Sequence, residues 1–282
     1  MLRGIYASAT GMIAEARRLD VITNNVANAA TTGYKPDAVR ARPFADVLVQ
    51  RLDDRDGTGR IAPPAPVGRL GMGVQTPETV TVLADGPLRF TGRALDLALQ
   101  GDGFFTVEDA RGQRFYTRDG AFRLDAEGYL VTASGHRVLL ESGQPVAAGG
   151  AGAGRRPGGE EAIQVDSDGT VRAGGEALGR LAIVSSQEVP GLRKVGANLW
   201  AQGEGSVLLA RVARSEPAGG APAGGARPWT LLVGYLEGSG VEPVLEMADL
   251  IATMRAYEAN QRALRMQDEA LGRAANDVGR VG

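Results

Sequence analysis

The spacing of apolar residues near the end of the chain constrains the fold most strongly. Steps of three and four residues trace a seam in which eight of ten positions are apolar, counting alanine: Met247, Leu250, Met254, Tyr257, Gln261, Leu264, Asp268, Leu271, Ala275 and Val278. Neither proline nor glycine occurs between Pro243 and Gly272. This period predicts a long helix that packs along one narrow face. A helix over residues 241–278 would span about 57 Å, more than a small domain can cover, so it needs a partner helix.

A matching seam lies at the start of the chain and predicts a first helix from about Arg3 to Asn28. The seam residues are Leu2, Ile5, Ala9, Met12, Ala16, Leu19, Thr23 and Val26. Two separate amphipathic surface helices are one interpretation. The other is that the terminal helices pair with each other and also pack against neighbouring subunits. The narrowness of the seam favours the second interpretation.

Composition limits the classes of function. A length of 282 residues indicates about two domains, and the net charge of −2 gives no electrostatic basis for binding nucleic acid or an anionic membrane. Cysteine is absent, which excludes disulfides and thiolate metal sites. No apolar run approaches the roughly 18 residues of a membrane span, so membrane insertion is not expected. The first residues lack the apolar core of a secretory signal, and no cleaved signal peptide is expected.

The middle of the chain changes to strand periodicity. Short alternating segments and turn residues predict a β-rich, antiparallel domain over residues 71–236, with flexible loops at 147–161 and 217–228. Residues 37–70 are expected to be an extended or flexible connector. Residues 1–36 and 237–282 form the terminal helical domain. The predicted fold class is therefore α+β, with long terminal helices that pair as a coiled-coil-like domain and an inserted β domain.

Residues for catalysis or metal binding are scarce, and none is predicted as a site. His136 is the only histidine, which removes histidine triads and multi-histidine zinc sites. The segment 166–169 starts like a calcium loop but lacks the later ligands, so a β-turn is expected. Three aspartates of the middle domain are candidates for a glycosidase pair, but turn positions favour solvated residues: Asp102, Asp119 and Asp125. No enzyme, cofactor or small-molecule substrate is predicted.

Three blocks of the sequence closely resemble the bacterial flagellar rod and hook proteins. The first block consists of 7–12 (ASATGM), 19–28 (LDVITNNVAN) and 31–35 (TTGYK). The second consists of 95–107, 116–122 (YTRDGAF) and 128–132 (GYLVT). The third consists of 234–239 (GYLEGS) and 255–261 (RAYEANQ). The chain length and the central block look most like the basal-body rod proteins of this family.

The resemblance implies a structural subunit of the flagellar axis. Its expected partners are further copies of the chain in a helical polymer, other axial proteins and the flagellar export apparatus. The expected location is the basal-body rod in the periplasmic space, after export without a cleaved signal. The expected assembly interface is Leu2, Ile5, Ala9, Met12, Leu19, Asn24, Asn25, Asn28, Met247, Leu250, Met254, Tyr257, Gln261, Leu264 and Leu271.

Three alternatives to a rod subunit remain. A hook-type axial subunit of the same family fits the same blocks. A non-flagellar coiled-coil adaptor with a β head fits the helical ends and the middle domain. A cell-wall hydrolase would need an additional domain with a carboxylate cleft, for which no segment of the chain is left.

Overall fold

Two long helices, one at each end of the chain, flank a succession of short strands. The computed structural model describes residues 2–45, 47–51, 65–71, 73–148, 163–189, 191–203, 209–210 and 229–279. Helix α1 is Leu2–Ala27 and helix α2 is Pro243–Gly279. This arrangement confirms the predicted α+β class. Neither described helix has a stretch long and apolar enough to cross a membrane.

The chain divides into two compact units. The first comprises Met1–Val26, Asp37–Val80 and Pro243–Gly282, and the second comprises Ala27–Pro36 and Thr81–Glu242. The stretch Asp37–Val80 therefore groups with the helices. The connector expected at 37–70 was separate from both domains. The end of that stretch, 71–80, was expected in the β domain.

Three strands lie in the segment expected to be an extended or flexible connector: β1 (Asp37–Arg40), β2 (Val47–Arg51) and β3 (Ala65–Leu70). Strands β2 and β3 pair in antiparallel register, with Val47 opposite Leu70. A hydrogen bond ties this segment to α1, because the Asp37 amide donates to Asn25 Oδ1 at 3.1 Å. Such side chain–backbone bonds between distant segments leave no periodic trace in a sequence, which is why the segment resembles a connector.

The remaining strands belong to the second unit, except that β4 begins in the first. They are β4 (Glu78–Val82), β5 (Leu88–Phe90), β6 (Leu97–Gly101), β7 (Phe104–Glu108), β8 (Arg114–Thr117), β9 (Arg123–Leu124), β10 (Leu130–Val131), β11 (Arg137–Val138), β12 (Ile163–Val165), β13 (Thr170–Ala173), β14 (Glu176–Arg180), β15 (Ile183–Val184), β16 (Leu192–Gly196), β17 (Leu199–Gln202), β18 (Leu209–Ala210), β19 (Trp229–Val233) and β20 (Tyr235–Glu237).

The largest sheet of the second unit has eight strands in the order β16-β17-β8-β7-β11-β10-β9, with β15 also paired to β7. A three-stranded sheet follows the order β12-β13-β14, and two ribbons pair β19 with β6 and β20 with β5. Among the described residues of this unit, the strand pairs are antiparallel, except that β18 lies parallel to β4. The antiparallel β domain predicted for the middle of the chain is thus observed over its described part.

Aromatic and aliphatic side chains from these sheets form the core. Phe105 and Phe122 are fully buried, and their rings meet edge to face with centroids 5.2 Å apart. Phe104 packs on Trp200 in a second cluster, at 5.5 Å between centroids. Phe115 is only partly buried and packs on the margin of the first cluster. Strands β7, β8 and β17, together with Phe122 just before β9, thus supply the aromatic side chains of the core.

The two loops predicted to be flexible, 147–161 and 217–228, lie almost wholly outside the described residues; only Ala147 and Ala148 are described. The segment 166–169 is a β-turn between β12 and β13, because the Gly169 amide donates to the Asp166 carbonyl at 2.9 Å. Asp166 and Asp168 bind Arg172 and Thr170 nearby. The expected turn is therefore confirmed.

Candidate assembly surface and buried ion network

Helices α1 and α2 contact each other in antiparallel order within the first unit. A Cβ added to Gly4 would lie 2.6 Å from Gln267 Nε2, and one added to Gly11 would lie 3.1 Å from Asn260 Nδ2. Near the other end of α1, Asn25 Nδ2 donates to Glu246 Oε1 at 3.1 Å. The contacting positions recur at multiples of seven residues in both helices, so one face of each helix stays in contact. Glycine at two of these positions permits the close approach.

The contacting face is rich in small and polar residues. On α1 the buried positions include Ser8, Ala14, Ile22 and Asn25, and on α2 Thr253 is buried. Buried oxygens without a hydrogen-bond partner in the described part of the chain occur along these helices: Glu15 Oε2, Thr253 Oγ1 and Gln267 Oε1. Burial of apolar surface supplies most of the free energy of helix packing. Since small and polar side chains bury little apolar surface, this contact gains little from it.

Asn25 links three segments of the first unit. Its Nδ2 donates to the Asp37 carbonyl at 2.9 Å, and its Oδ1 accepts from the Asp37 amide at 3.1 Å. The same side chain binds Glu246, as described above. Burial raises the pKa of Glu246, and the hydrogen bond from Asn25 opposes that increase. Asn25 therefore fixes the start of β1 relative to both helices.

Part of the seam predicted for α2 is one residue removed from the face that contacts α1. The α2 residues that contact α1 or are buried are Glu246, Thr253, Asn260 and Gln267. The corresponding positions in the predicted seam were 247, 254, 261 and 268. Met247 and Met254 are 54% and 47% exposed, and Asn24 is also exposed. The side chain of Leu2 lies outside the described residues. The other candidate assembly residues, apart from buried Asn25, are half-buried: Ile5, Ala9, Met12, Leu19, Asn28, Leu250, Tyr257, Gln261, Leu264 and Leu271.

A network of buried charges lies in the second unit, and its centre is Glu237. Lys35 Nζ lies 2.7 Å from Glu237 Oε1, and Arg118 Nε lies 2.6 Å from Glu237 Oε2. The Gly86 amide also donates to Oε1, at 2.7 Å. All three charged side chains are at most 2% exposed. Two cations and one backbone amide thus share one carboxylate away from water.

Other N–H groups of the Arg118 guanidinium donate to backbone carbonyls. Its Nη2 donates to the Leu99 and Gly101 carbonyls at 2.9 and 2.7 Å, and its Nη1 donates to the Gly103 carbonyl. Asp85 Oδ1 accepts from Nη2 at 3.1 Å and supplies a second carboxylate. Since guanidinium carries five donors in a fixed plane, Arg118 holds the turn between β6 and β7 by several bonds at once.

Lys35 belongs to the same network, and its neighbours have opposing effects on its pKa. Burial and the neighbouring Arg118 guanidinium lower the pKa of Lys35, and Glu237 and Asp85 oppose that decrease. Its Nζ also donates to the Ala84 carbonyl at 2.8 Å. The second lysine of the chain, Lys194, donates to the Lys35 carbonyl and lies 4.4 Å from the centroid of the Tyr34 ring. Both lysines of a chain with 31 basic residues therefore converge on this segment.

The loop that follows α1 is fitted tightly against the Arg118 segment. Gly33 has a φ of 64°, and a Cβ on it would lie 2.6 Å from the Arg118 backbone. Thr32 Oγ1 donates to Asp119 Oδ1 at 2.6 Å, and the Ala121 amide donates to the same oxygen at 3.1 Å. Burial raises the pKa of Asp119, although both hydrogen bonds oppose the increase. Only glycine satisfies both the backbone angle and the contact at position 33.

Sequence reasoning did not identify this network, although two signals pointed to it. One signal was the rarity of lysine among the basic residues. The other was the position of Lys35 and Glu237 in the blocks that follow α1 and precede α2. Neither signal shows that the two residues meet, because 202 residues separate them in the chain.

The side chains considered for catalysis are engaged in hydrogen bonds. Asp102 accepts from Ser186, and Asp125 accepts from the Glu127 and Tyr129 amides in a turn. His136 Nδ1 lies 2.9 Å from Ser134 Oγ in a turn. Over the part of the chain that the structure describes, no group of three or more histidine, aspartate or glutamate side chains is placed to hold a metal ion.

Three family models match successive parts of the chain. They are described as flagella basal body rod protein (residues 5–35), flagellar hook protein FlgE/F/G D1 domain (98–173) and flagellar basal body rod FlgEFG protein C-terminal (232–277). The flagellar basal-body rod protein FlgG of Agrobacterium fabrum is 36% identical, with 95% of this chain and 96% of the relative covered. This chain belongs to the flagellar basal-body rod and hook protein family.

Other members of the rod and hook family cover the chain equally fully. The rod protein FlgG of Bacillus subtilis is 31% identical, with 98% of this chain and 99% of the relative covered. The rod protein FlgF of Caulobacter vibrioides is 30% identical, with 100% of this chain and 99% of the relative covered. The resemblance seen in the sequence is thus confirmed, and the family consists of structural proteins of the flagellum.

Each of the three matched segments of the rod and hook family contributes one residue to the buried network. Lys35 ends the first matched segment, Arg118 lies in the second, and Glu237 lies in the third. The network therefore connects the three blocks that identify the family.

Proposed function

We propose that the chain is a structural subunit of the flagellar basal-body rod, and that it polymerises through its terminal helices into the axial tube between motor and hook. The observation that carries this proposal is the full-length similarity to relatives named basal-body rod proteins, which includes both terminal helices. The proposal includes no catalytic role.

The two helices leave apolar surface exposed, and this supports a role for them in assembly. Met247 and Met254 are about half exposed although they continue the apolar seam of α2. The contact between α1 and α2 is small and polar, so one chain buries only part of its helical apolar surface. We propose that coiled-coil-like packing is completed by neighbouring subunits in a helical polymer, with the fifteen candidate residues as its interface.

The remaining elements of the proposal follow from membership of the family. The partners are other axial proteins of the flagellum and the flagellar export apparatus. The location is the rod in the periplasmic space, reached without cleavage of a signal peptide. The boundaries first expected for the helical domain, 1–36 and 237–282, remain our proposal for the part of the chain that enters the tube.

A test of the rod assignment uses the bacterium that carries this chain. Basal bodies are purified, and gold-labelled antibody against residues of the β domain is located by electron microscopy. We expect label on the rod, between the rings and the hook. Label along the hook would support the hook-type alternative, which the match of residues 98–173 to a hook-protein domain favours. Label absent from basal bodies would contradict both and favour an adaptor outside the flagellum.

A further inference from the structure

The loop of residues 32–36, which follows α1, is buried to an extent that is unusual for a loop. Its Gly33 amide donates to the Glu237 carbonyl at 2.8 Å, and its Lys35 side chain enters the ion network centred on the same Glu237. Tyr34 and Lys35 are only 6% and 2% exposed. This segment is called the α1 loop below. Because loops normally run over the surface, another element has to cover these side chains.

The hairpin of β16 and β17 supplies that cover. Lys194 Nζ donates to the Lys35 carbonyl at 2.5 Å and lies 4.4 Å from the centroid of the Tyr34 ring. Asn198 Nδ2 donates to the Thr32 carbonyl at 2.5 Å. Two side chains from one end of a hairpin therefore bind three of the five residues of the α1 loop.

The tip of this hairpin, residues 194–198, has an unusual backbone. Ala197 and Asn198 have φ values of 49° and 58°, and they are the two non-glycine residues with positive φ in the described part of the chain. A two-residue hairpin turn requires positive φ at both positions, which asparagine tolerates better than alanine. The pairing register shifts at Val195, and such a bulge redirects the neighbouring side chains. The turn and the bulge together set the directions of Lys194 and Asn198.

The base of the hairpin is anchored in the core, whereas the hairpin tip is not. Leu192 is fully buried, and Trp200 packs on Phe104 with 5.5 Å between ring centroids. In contrast, Val195 in the tip is 43% exposed, and β16 lies at the edge of its sheet. Segments with few buried apolar contacts are the parts of a protein that open locally at low free energy. The hairpin tip is therefore able to open while its base stays in place.

We propose that the hairpin tip is a latch that closes over the α1 loop and keeps the Lys35 side chain away from water. Its contacts with the Thr32 and Lys35 carbonyls and the Tyr34 ring form only when the loop is docked. The loop therefore docks first, and the tip closes second. Closure of the hairpin is thereby coupled to docking of the segment that follows α1. The latch acts within a single chain and is independent of the proposed function.

The position of the hairpin in the sequence supports a role separate from that of the ion network. The network joins the three segments that match the rod and hook family, whereas residues 191–203 lie outside all three. The two lysines of the chain divide in the same way, with Lys35 in the network and Lys194 in the hairpin tip. An element outside the matched segments thus controls the access of water to a residue within them.

Because the chain contains only two lysines, acetylation of Lys35 reports directly on opening of the latch. The full-length chain is treated with the N-hydroxysuccinimide ester of acetate in mildly alkaline buffer. The acetylated fraction of Lys35 is followed by mass spectrometry of digested samples, at low extents of labelling at which few chains carry a modified Lys194. Asn198→Gly removes the bond to Thr32 but keeps the turn, because glycine adopts positive φ freely. Lys194→Met keeps an unbranched apolar side chain but loses the charge and the hydrogen bond.

We expect each latch variant to raise the acetylation rate of Lys35 about fivefold, the factor that corresponds to the loss of one ordinary hydrogen bond. Asp168→Gly is the matched control, because Asp168 accepts from the Thr170 amide at 2.9 Å in the turn of another hairpin. We expect this control to leave the acetylation rate of Lys35 unchanged. An unchanged rate in either latch variant, or an equal rise in the control, would overturn the proposal.

The dependence of the acetylation rate on urea separates opening of the hairpin tip from unfolding of the whole domain. Urea promotes an opening reaction in proportion to the surface that the reaction exposes. We expect a shallow dependence below the unfolding transition, because opening of the tip exposes few residues. A dependence as steep as that of global unfolding, measured by circular dichroism on the same protein, would show that Lys35 reacts only in unfolded chains and would overturn the latch.

Discussion

Lys35 and Glu237 form a buried salt bridge across 202 residues of chain, with 2.7 Å between Nζ and Oε1. Lys35 lies in the loop that follows α1, and Glu237 lies six residues before α2 begins at Pro243. Their pairing holds together the two segments of the second unit that lead to the terminal helices. Arg118 completes the pairing from the central block of the sequence.

Removal of the central carboxylate is expected to destabilise the second unit strongly. Glu237→Gln leaves two buried cations, Lys35 and Arg118, without their shared countercharge. Breaking a buried pair on one side costs about 3–5 kcal/mol. Urea unfolding followed by circular dichroism measures the change. Glu258→Gln removes an exposed carboxylate 4.0 Å from Arg262 and is expected to change stability by less than about 0.5 kcal/mol. Equal effects of the two variants would contradict this role of Glu237.

Gly33→Ala and Gly135→Ala separate backbone strain from steric contact. Both glycines have positive φ, 64° and 87°. A Cβ at position 33 would lie 2.6 Å from the Arg118 backbone, whereas one at position 135 meets nothing within 4 Å. Gly135→Ala is expected to cost about 1–2 kcal/mol from the left-handed backbone alone. Gly33→Ala is expected to cost clearly more in the free energy of unfolding, measured by the same urea titration. Similar costs would show that the loop moves away from Arg118 freely.

Asp119→Asn is expected to change the pH dependence of stability. Burial raises the pKa of Asp119 in the folded chain above the ordinary aspartate value of 3.8, against the hydrogen bonds from Thr32 and Ala121, and the Asp96 carboxylate adds to the increase. Below pH 3.8 the carboxyl group is neutral in both states. Between 3.8 and the folded pKa the folded chain binds more protons, so this group lowers stability as pH rises through that window.

The measurement is the difference in unfolding free energy between Asp119→Asn and the wild-type chain. We expect Asp119→Asn to raise the free energy of unfolding more at pH 7 than at pH 3, because only the wild-type chain carries the buried charge at pH 7. Asp109→Asn is the matched control, since backbone hydrogen bonds, chiefly from Gln113 and also from Arg111, lower the pKa of half-buried Asp109. Asp109→Asn is expected to shift stability in the opposite direction with pH. A difference for Asp119→Asn that does not grow with pH would rule out the charge effect.

A charge placed on the helical seam is expected to block assembly without affecting the β domain. Met254→Asp and Leu264→Asp put a carboxylate on an apolar position of α2, and burial of an unpaired charge costs several kcal/mol. Arg262→Asp on an exposed position is the control. Electron microscopy records polymers, and calorimetry records melting of the same proteins. Polymers formed by both seam variants would refute the role of the seam, and a much lower melting transition of the β domain would show that the effect is not confined to the helices.

Local patterns in the sequence determined the helices and the character of the middle domain. The three–four seam predicted α1 and α2 to within about two residues at each described end, because helical periodicity depends only on neighbours along the chain. Alternation and turn residues likewise predicted the β domain that buries Phe104, Phe105 and Phe122. The family blocks predicted membership of the flagellar rod and hook proteins.

Tertiary structure alone decided which helix face lies inward and which charges meet. The apolar seam indicated Met247 and Met254, but Gly4 and Gly11 let α1 approach α2 at Gln267 and Asn260, one residue away from the predicted positions. Periodicity identifies a face that needs a partner without saying whether the partner is the same chain. The Lys35–Glu237–Arg118 network was likewise invisible, because a buried ion pair depends on the three-dimensional approach of distant segments and leaves no periodic signal along the chain.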